Sequence, residues 1–423
     1  MNRQMKDSGI EWIGEIPEAW NTDRLQWHLK EVKESNSPIR TENILSLTIE
    51  SGVIPYEDKG NQGNKAKENY EEYKLAFPDM LVVNSMNVII GAVGISKYFG
   101  CVSPVYYVFN ADGNTDLRYV YYLFTNVGFQ KEMRKYAKGI LEIRLRISAS
   151  DMLRLQIPNP KKEEQKRIAD YLDQQCAHID AVIEKTKASI EEYKKLKQAV
   201  ITQAVTKGIR GDRPMKDSGI EWIGEIPVDW DVVRNSFLFR ENVRTPDEDA
   251  IPLSLSQVDG LIATDDMKES SLKTSTYDGW KQVRLNDLVL NRFKGHLGVL
   301  YSASIEGMVS FHYGVYEPIK GFNSKFFEYL YHSEVYKGIL GLKSNGMTIG
   351  LQNLSNQNFY SVQSIYPSIE EQNEIIEYLD RKLEDINKLV EKKVLLIKQL
   401  EEYKKSLIYE YVTGKKEVPQ SCQ

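Results

Sequence analysis

Cysteine is scarce in this chain of 423 residues, which has only Cys101, Cys176 and Cys422. An odd number of widely spaced cysteines supports neither a disulfide framework nor a zinc cluster. The histidines are also too scattered for the short spacings of metal ligands. We therefore predict a protein of the reducing cytoplasm that holds no metal of its own.

Long apolar runs and nucleotide-binding loops are missing as well. No apolar stretch approaches the roughly 20 residues that cross a bilayer. The nearest glycine groups, Gly91 with Gly94 and Gly295 with Gly298, lack the Gly-Lys-Ser/Thr ending of a phosphate-binding loop. An Asn-Pro-Pro-aromatic motif, as adenine methyltransferases use, is also absent. The net charge of −5 argues against general coating of nucleic acid but permits local basic patches.

The main feature present is an internal repeat. Residues Met5–Pro17 recur without change as Met215–Pro227, and Trp20 is matched by Trp230. We call each copy the thirteen-residue signature. The repeat divides the chain almost in half, which predicts a partner or target with two roughly equivalent sites.

A second duplicated block predicts two long helices. Glu163-Glu-Gln165 returns as Glu370-Glu-Gln372, and the match continues without gaps to Thr206 and Thr413. Apolar residues fall seven apart in both copies, which predicts helices of about 45 residues, roughly 65 Å long. We expect the two apolar stripes to pack on each other, although each stripe packing on its own domain stays an alternative.

The remaining sequence predicts two mixed α/β (α+β) domains. Val88–Ile90 is among the strand candidates, and Leu117–Tyr136 has a helical pattern. The predicted order is a first domain at 1–157, a helix with linker at 158–213, a second domain at 214–364, and a helix with tail at 365–423. The two domains keep a common frame but differ in their loops. Two different ligands explain this best, and chance divergence is the alternative.

These motifs, in this order, resemble the specificity subunit of type I restriction-modification systems, the HsdS family. The resemblance covers essentially the whole chain, and its motifs are Trp12–Pro17 with Trp20, Trp222–Pro227 with Trp230, Asn84–Gly94, Val102–Tyr106, and Pro160–Gln165 with Tyr171–Asp173. The second domain departs from the pattern, because Phe311-His312 stand in place of the expected Ser-Pro-x.

The resemblance implies a non-catalytic subunit that reads double-stranded DNA. Two target-recognition domains would each read half of a bipartite site, and an antiparallel coiled coil would fix the spacer. Two methyltransferase (M) subunits would bind near the signatures, at Trp12, Ile13, Trp222 and Ile223. S-adenosylmethionine, ATP and Mg²⁺ would belong to the M and restriction (R) subunits, and this chain would hold no cofactor.

Side-chain chemistry selects the candidate DNA contacts, because Arg and Lys read guanine, Asn and Gln read adenine, and Lys, Arg, Ser and Thr bind phosphate. In the first domain the candidates are Asn84, Ser85, Asn87, Lys138, Arg144 and Arg146. Residues 131–146 include six basic and two acidic residues. In the second domain they are Asn291, Arg292, Lys294, His296, Lys343, Asn345 and Thr348. Taken singly, each is also explained as a solvated surface group.

Two other classes of function remain open on the sequence. A two-domain coiled-coil adaptor that binds protein without DNA specificity is the main alternative, and an enzyme is the third. Sequence-specific retention on duplex DNA with a methyltransferase subunit distinguishes the first two. Methyl transfer from S-adenosylmethionine by the isolated chain would support an enzyme. The DNA sequence recognised and the spacer length are not encoded in a readable form.

Overall fold

The computed structural model describes residues 3–60, 69–139, 145–257, 259–267, 277–344 and 352–419. The chain forms two compact units: residues 1–186 with 395–423, and residues 187–394. Both units therefore contain part of each long helix. Among the described residues no helix is long and apolar enough to span a membrane, and no group of three or more potential metal ligands occurs.

The first unit is built from short strands and three short helices. The strands are β1 Met5–Ile10, β2 Gly14–Pro17, β3 Asn21–Arg24, β4 Leu29–Val32, β5 Leu45–Thr48, β6 Gly52–Pro55, β7 Lys74–Ala76, β8 Leu81–Asn84, β9 Val93–Ile95, β10 Gly100–Val102, β11 Tyr106–Ala111 and β12 Gln156–Asn159. The helices are α1 Leu117–Thr125, α2 Val127–Tyr136 and α3 Ala149–Leu153, followed by the long α4 Lys162–Lys207.

An antiparallel sheet of order β4-β11-β8-β9 forms the centre of this domain. Alternate residues of β8 face opposite sides, as the two-residue period of a strand requires. Leu81 and Val83 join the large core under α1 and α2, whereas Val82 joins a smaller core with Leu45 and Val102. Burial on both faces explains why β8 is apolar without alternation.

The second unit repeats this topology. Its strands are β13 Met215–Asp217, β14 Glu225–Pro227, β15 Asp231–Arg234, β16 Phe239–Glu241, β17 Leu253–Ser256, β18 Gly260–Ala263, β19 Lys281–Val283, β20 Leu288–Asn291, β21 Leu300–Ser302, β22 Gly307–Val309, β23 Tyr313–Pro318 and β24 Gln363–Tyr366. Its helices are α5 Ser324–His332, α6 Glu334–Lys343 and α7 Asn356–Ser361, and α8 spans Ile369–Val412. The sheet order β16-β23-β20-β21 corresponds strand for strand to that of the first unit.

Within each unit, segments of α4 and α8 contact each other in antiparallel directions. In the first unit, Lys404 Nζ lies 2.7 Å from Asp180, and the rings of Tyr171 and Tyr411 are 4.6 Å apart. In the second unit, Lys197 Nζ donates to Asn387 Oδ1 at 3.1 Å. The predicted fold class, two α/β domains alternating with two long helices, is confirmed.

Two local predictions were wrong. Val88–Ile90 forms a 3-10 turn instead of a strand, and the turn ends at Gly91 in the left-handed region with φ 92°. Leu117–Tyr136 forms two helices instead of one, because the Asn126 side chain accepts hydrogen bonds from the amides of Gly128 and Phe129 and so starts a new helix.

Candidate nucleic-acid interface

The first group of candidates follows strand β8. Asn84 is buried, and its Oδ1 accepts hydrogen bonds from the amides of Met86 at 3.0 Å and Asn87 at 3.4 Å. Asn84 therefore shapes the turn. Ser85 is also buried, whereas Asn87 is exposed at the tip of the turn. Of the three candidates, Asn87 is the one whose side chain is exposed to solvent.

The second group of the first domain lies beside this turn. Lys138 and Arg146 form an antiparallel bridge, with N–O distances of 2.8 and 2.9 Å between their backbones. Arg146 Nε donates to Ser85 Oγ at 2.9 Å. Both basic residues are exposed. The structure thus joins two candidate groups that are far apart in sequence, while Arg144 lies outside the described residues.

The positive charge of Arg146 contributes to a lowered pKa of the neighbouring Lys74. Lys74 is partly buried, and its Nζ donates to the Tyr106 carbonyl at 2.7 Å. The pKa of Lys74 is lowered mainly by burial, and repulsion from Lys33 and Arg146 adds to the shift while Glu31 opposes it. A polyanion bound near Lys74 and Arg146 would offset the repulsion between these cations.

In the second domain the equivalent turn follows strand β20. Asn291 Oδ1 accepts hydrogen bonds from the amides of Phe293 at 3.1 Å and Lys294 at 3.2 Å. It thereby caps the 3-10 segment Arg292–Leu297, which ends at Gly298 with φ 71°. Asn291 and Asn84 therefore do the same structural work in the two domains, as their alignment in sequence predicts.

Arg292 is engaged inside its own domain. Its guanidinium donates to Glu241 Oε1 at 2.6 Å and to Asn356 Oδ1 at 2.8 Å. Lys281 Nζ approaches the same Glu241 oxygen at 3.0 Å. Reading a guanine would require Arg292 to break this partly buried ion pair, which is costly. We therefore assign Arg292 to anchoring the turn and do not propose it as a base contact.

The other candidates of the second domain differ in accessibility. Lys294 is exposed, and so is Lys343 at the end of α6. His296 is half-buried, and its Nδ1 is buried without a hydrogen-bond partner among the described residues. Asn345 and Thr348 lie outside the described residues. Among the described members of this set, Lys294 and Lys343 are thus the two whose side chains are exposed.

The tryptophans that follow the two signatures share an arrangement that sequence reasoning missed. Trp20 Nε1 donates to Glu164 Oε2 at 2.9 Å, and Trp230 Nε1 donates to Glu371 Oε2, also at 2.9 Å. Both indoles are buried. The chain just after each signature is thereby attached to the first turn of the long helix that follows its own domain.

An arginine completes each arrangement. Arg3 lies 5.3 Å from the Trp20 ring centroid and forms a 2.5 Å ion pair with Glu164. Arg213 lies 5.6 Å from the Trp230 ring and pairs with Glu371, and this hydrogen bond is the main reason that the pKa of Arg213 is raised. Arg3 and Arg213 have the same spacing to their tryptophans, a signal that the sequence did contain. We call each set the Arg-Trp-Glu clamp.

The predicted partner contacts divide into buried and accessible residues. Ile13 and Ile223 are buried in the cores of their own units, so we do not propose them as partner contacts. Trp12 is partly buried, and its ring lies 5.7 Å from that of Phe129. Trp222 is 54% exposed. Identical signatures therefore present different surfaces.

A glycine explains this difference. A Cβ added to Gly128 would lie 2.6 Å from Trp12 Cε3, closer than atoms can approach. The elements from β7 to β12 in the first domain correspond to those from β19 to β24 in the second, with a constant shift of 207 residues. With this shift, Val335 is the residue equivalent to Gly128. Because valine has the Cβ that glycine lacks, Trp222 cannot occupy the site that Trp12 does.

Comparison with known proteins agrees with this architecture. Residues 27–192 match the family model of the type I restriction modification DNA specificity domain. Over 235 residues the chain is 28% identical to the putative type I restriction enzyme MjaX specificity subunit of Methanocaldococcus jannaschii, covering 52% of this chain and 53% of that protein. The MjaVIII specificity subunit of the same organism is 26% identical over 224 residues, covering 52% of this chain and 49% of the relative. The alignments thus span about half the length of these curated relatives.

Solved structures share the fold over nearly the whole chain. A chain from a structural study of complex assembly and conformational transition in the type I R-M system aligns with a TM-score of 0.70 at 13% identity, covering 95% of this chain and 99% of that one. The HsdS subunit from Thermoanaerobacter tengcongensis aligns with a TM-score of 0.52 at 13% identity, covering 95% and 98%. Residues 27–192 thus match a type I specificity domain, and the duplicated fold of the chain is similar to that of a solved HsdS subunit.

Proposed function

We propose that this chain is the non-catalytic subunit that gives a type I restriction-modification complex its DNA sequence specificity. Each domain reads one half of a bipartite double-stranded site. The observation that supports this most is that one scaffold occurs twice with different side chains at the same turn. Met86 and Asn87 follow β8 in the first domain, where Phe293 and Lys294 follow β20 in the second.

In the first domain, Asn87 and Arg146 contact the bases. An amide forms paired hydrogen bonds with adenine in the major groove, and a guanidinium does so with guanine. Arg146 is oriented by its bond to Ser85, and this limits the conformational entropy lost on binding. Lys138 is placed beside Arg146 to contact phosphate.

The catalytic chemistry belongs to partner subunits. Two M subunits bind near the signatures and transfer methyl groups from S-adenosylmethionine, and R subunits cleave DNA with ATP and Mg²⁺. Trp222 is the accessible aromatic of the second signature, and exposed tryptophans are frequent at the energetic centres of interfaces. Because the target is cellular DNA, we place this work in the cytoplasm.

The test is co-expression with the cognate M subunits, followed by sequencing of methylated adenines. We expect a bipartite motif. Arg146→Ala should reduce discrimination at one position of one half-site by about fivefold to 150-fold, since a bidentate base contact is worth about 1–3 kcal/mol. Lys135→Ala is the matched control, because Lys135 is an exposed basic residue already paired with Glu11 and Glu132.

Two outcomes would contradict the proposal. Methylation that is unchanged in Arg146→Ala would remove this residue from the reading surface. A complex that retains the M subunits but shows no sequence preference on DNA would favour the adaptor alternative.

A further inference from the structure

A strip of aromatic side chains crosses the surface of the second domain. The ring centroids of Tyr277 and Trp280 are 5.0 Å apart, those of Phe311 and His312 are 4.0 Å apart, and those of His312 and Phe293 are 5.6 Å apart. A Cβ on Gly279 would lie 3.9 Å from Phe311 Cβ, so the segment with Tyr277 and Trp280 lies next to the group formed by Phe293, Phe311 and His312. We call these five residues the aromatic strip.

The strip is not part of the core. Tyr277, Phe293 and Phe311 are 52%, 46% and 54% exposed. A single exposed aromatic residue is ordinary, but several in contact form an apolar patch that marks a binding surface. Since the residues come from three separate segments, the patch is invisible as a run in the sequence.

The first domain provides a built-in comparison. With the shift of 207 residues, Tyr277 and Trp280 correspond to Tyr70 and Tyr73, whose rings also meet, at 6.2 Å. This pair therefore belongs to the shared scaffold. Phe293, Phe311 and His312 instead correspond to Met86, Pro104 and Val105. The aromatic character of the second half of the strip is thus specific to the second domain.

The position of the strip favours DNA as its partner. Phe293 lies between Arg292, which anchors the turn to Glu241 and Asn356, and the exposed Lys294. Lys294 has no ion-pair partner among the residues that the structure describes, so it can neutralise a phosphate. A rigid turn that presents a phenyl ring next to a cation fits a groove lined by phosphates better than it fits an apolar protein surface.

We propose that Phe293 and Phe311 contact the C5-methyl groups of thymines in the major groove of the second half-site. Among the major-groove edges of the four bases, the thymine methyl is the apolar group, and phenylalanine is a suitable partner for it. The inference rests on the proposed function. It adds that the second domain selects A·T pairs by apolar contact, whereas the first domain depends on Asn87 and Arg146.

Replacing thymine by deoxyuridine tests this directly, because the change removes only the methyl group. The full chain with its M subunits is titrated against fluorescent duplexes that carry the motif found by methylation sequencing. Uracil in the second half-site should weaken binding about fourfold for each methyl group that is buried in the complex. Uracil in the first half-site is the matched DNA control and should have a smaller effect.

Protein variants test the same contacts from the side of the protein. Phe311→Ala and Phe293→Ala should weaken binding of the thymine duplex and reduce the thymine-to-uracil ratio toward one. Met86→Ala, at the position equivalent to Phe293, should leave the ratio in the second half-site unchanged. Lys294→Ala should weaken binding of both duplexes equally, since phosphate contacts carry no base information.

The results that overturn the inference differ from those that overturn the proposed function. Equal affinity for thymine and uracil duplexes overturns the inference while specificity for the motif persists. Loss of M subunits from the Phe311→Ala complex, with an unchanged thymine-to-uracil ratio, identifies a protein-docking surface and also overturns it. Absence of any sequence-specific binding by the unmodified complex refutes the proposed function itself.

Discussion

The Arg-Trp-Glu clamp of the second unit gives a quantitative prediction for Glu371→Ala. Glu371 is 1% exposed and accepts hydrogen bonds from Arg213 and from Trp230 Nε1. Removing it leaves a buried indole N–H unsatisfied and Arg213 with Asp229 as its remaining ion-pair partner. Loss of one member of a buried ion pair costs about 3–5 kcal/mol. We expect the clamp to open more often by about two to nearly four orders of magnitude.

Hydrogen–deuterium exchange of peptides from residues 215–237 measures this opening locally. Glu374→Ala is the matched control on the same helix, because Glu374 forms an exposed ion pair with Arg210 at 2.9 Å, and such pairs contribute at most about 1 kcal/mol. Glu371→Gln, which keeps an acceptor for Trp230, should fall between the two. Equal exchange rates in Glu371→Ala and Glu374→Ala would refute the reasoning.

Two further predictions concern packing and pH. Gly128→Val should expel the Trp12 ring, so that its 5-fluorotryptophan resonance acquires a solvent isotope shift like the one expected for the exposed Trp222; an unchanged Trp12 resonance would contradict the steric explanation. Burial lowers the pKa of His332 to about 4, below the value near 6.5 expected when unfolded. The unfolded state therefore binds the extra proton, and this contribution to stability is complete above about pH 6.5 and is lost toward pH 4. The free energy of unfolding of His332→Gln, measured in urea, should depend less on pH over this range. An unchanged pH dependence would contradict the lowered pKa of His332 as its cause.

The long helices and the repeated scaffold could be predicted because their signals are local or periodic. The block from Glu163 to Thr206 repeats without a gap, and α4 and α8 follow it closely. The break at Asn126 was less visible, since a helical apolar pattern continues across it and only the side-chain cap separates the helices.

The candidate site was predictable only in part, because exposure depends on contacts that are distant in sequence. Arg292 has the right chemistry to read guanine, but its ion pair with Glu241 forms only in the folded sheet. The aromatic strip is not evident in the sequence for the same reason, as Phe293 and Phe311 meet through His312. Conversely, Ser85 and Arg146 belong to two candidate groups that are distant in sequence, and they meet in the fold.

Independent reading by the two domains is the central claim, and exchanging residues 231–362 for the equivalent segment of a relative tests it most directly. The exchange leaves the signature, Trp230 and α8 in place, and its ends lie at β15 and just before β24, which pair through their backbones. Sequencing of methylated adenines should then show one half-site changed and the other, together with the spacer, intact. A change in both half-sites, or in neither, would contradict the account.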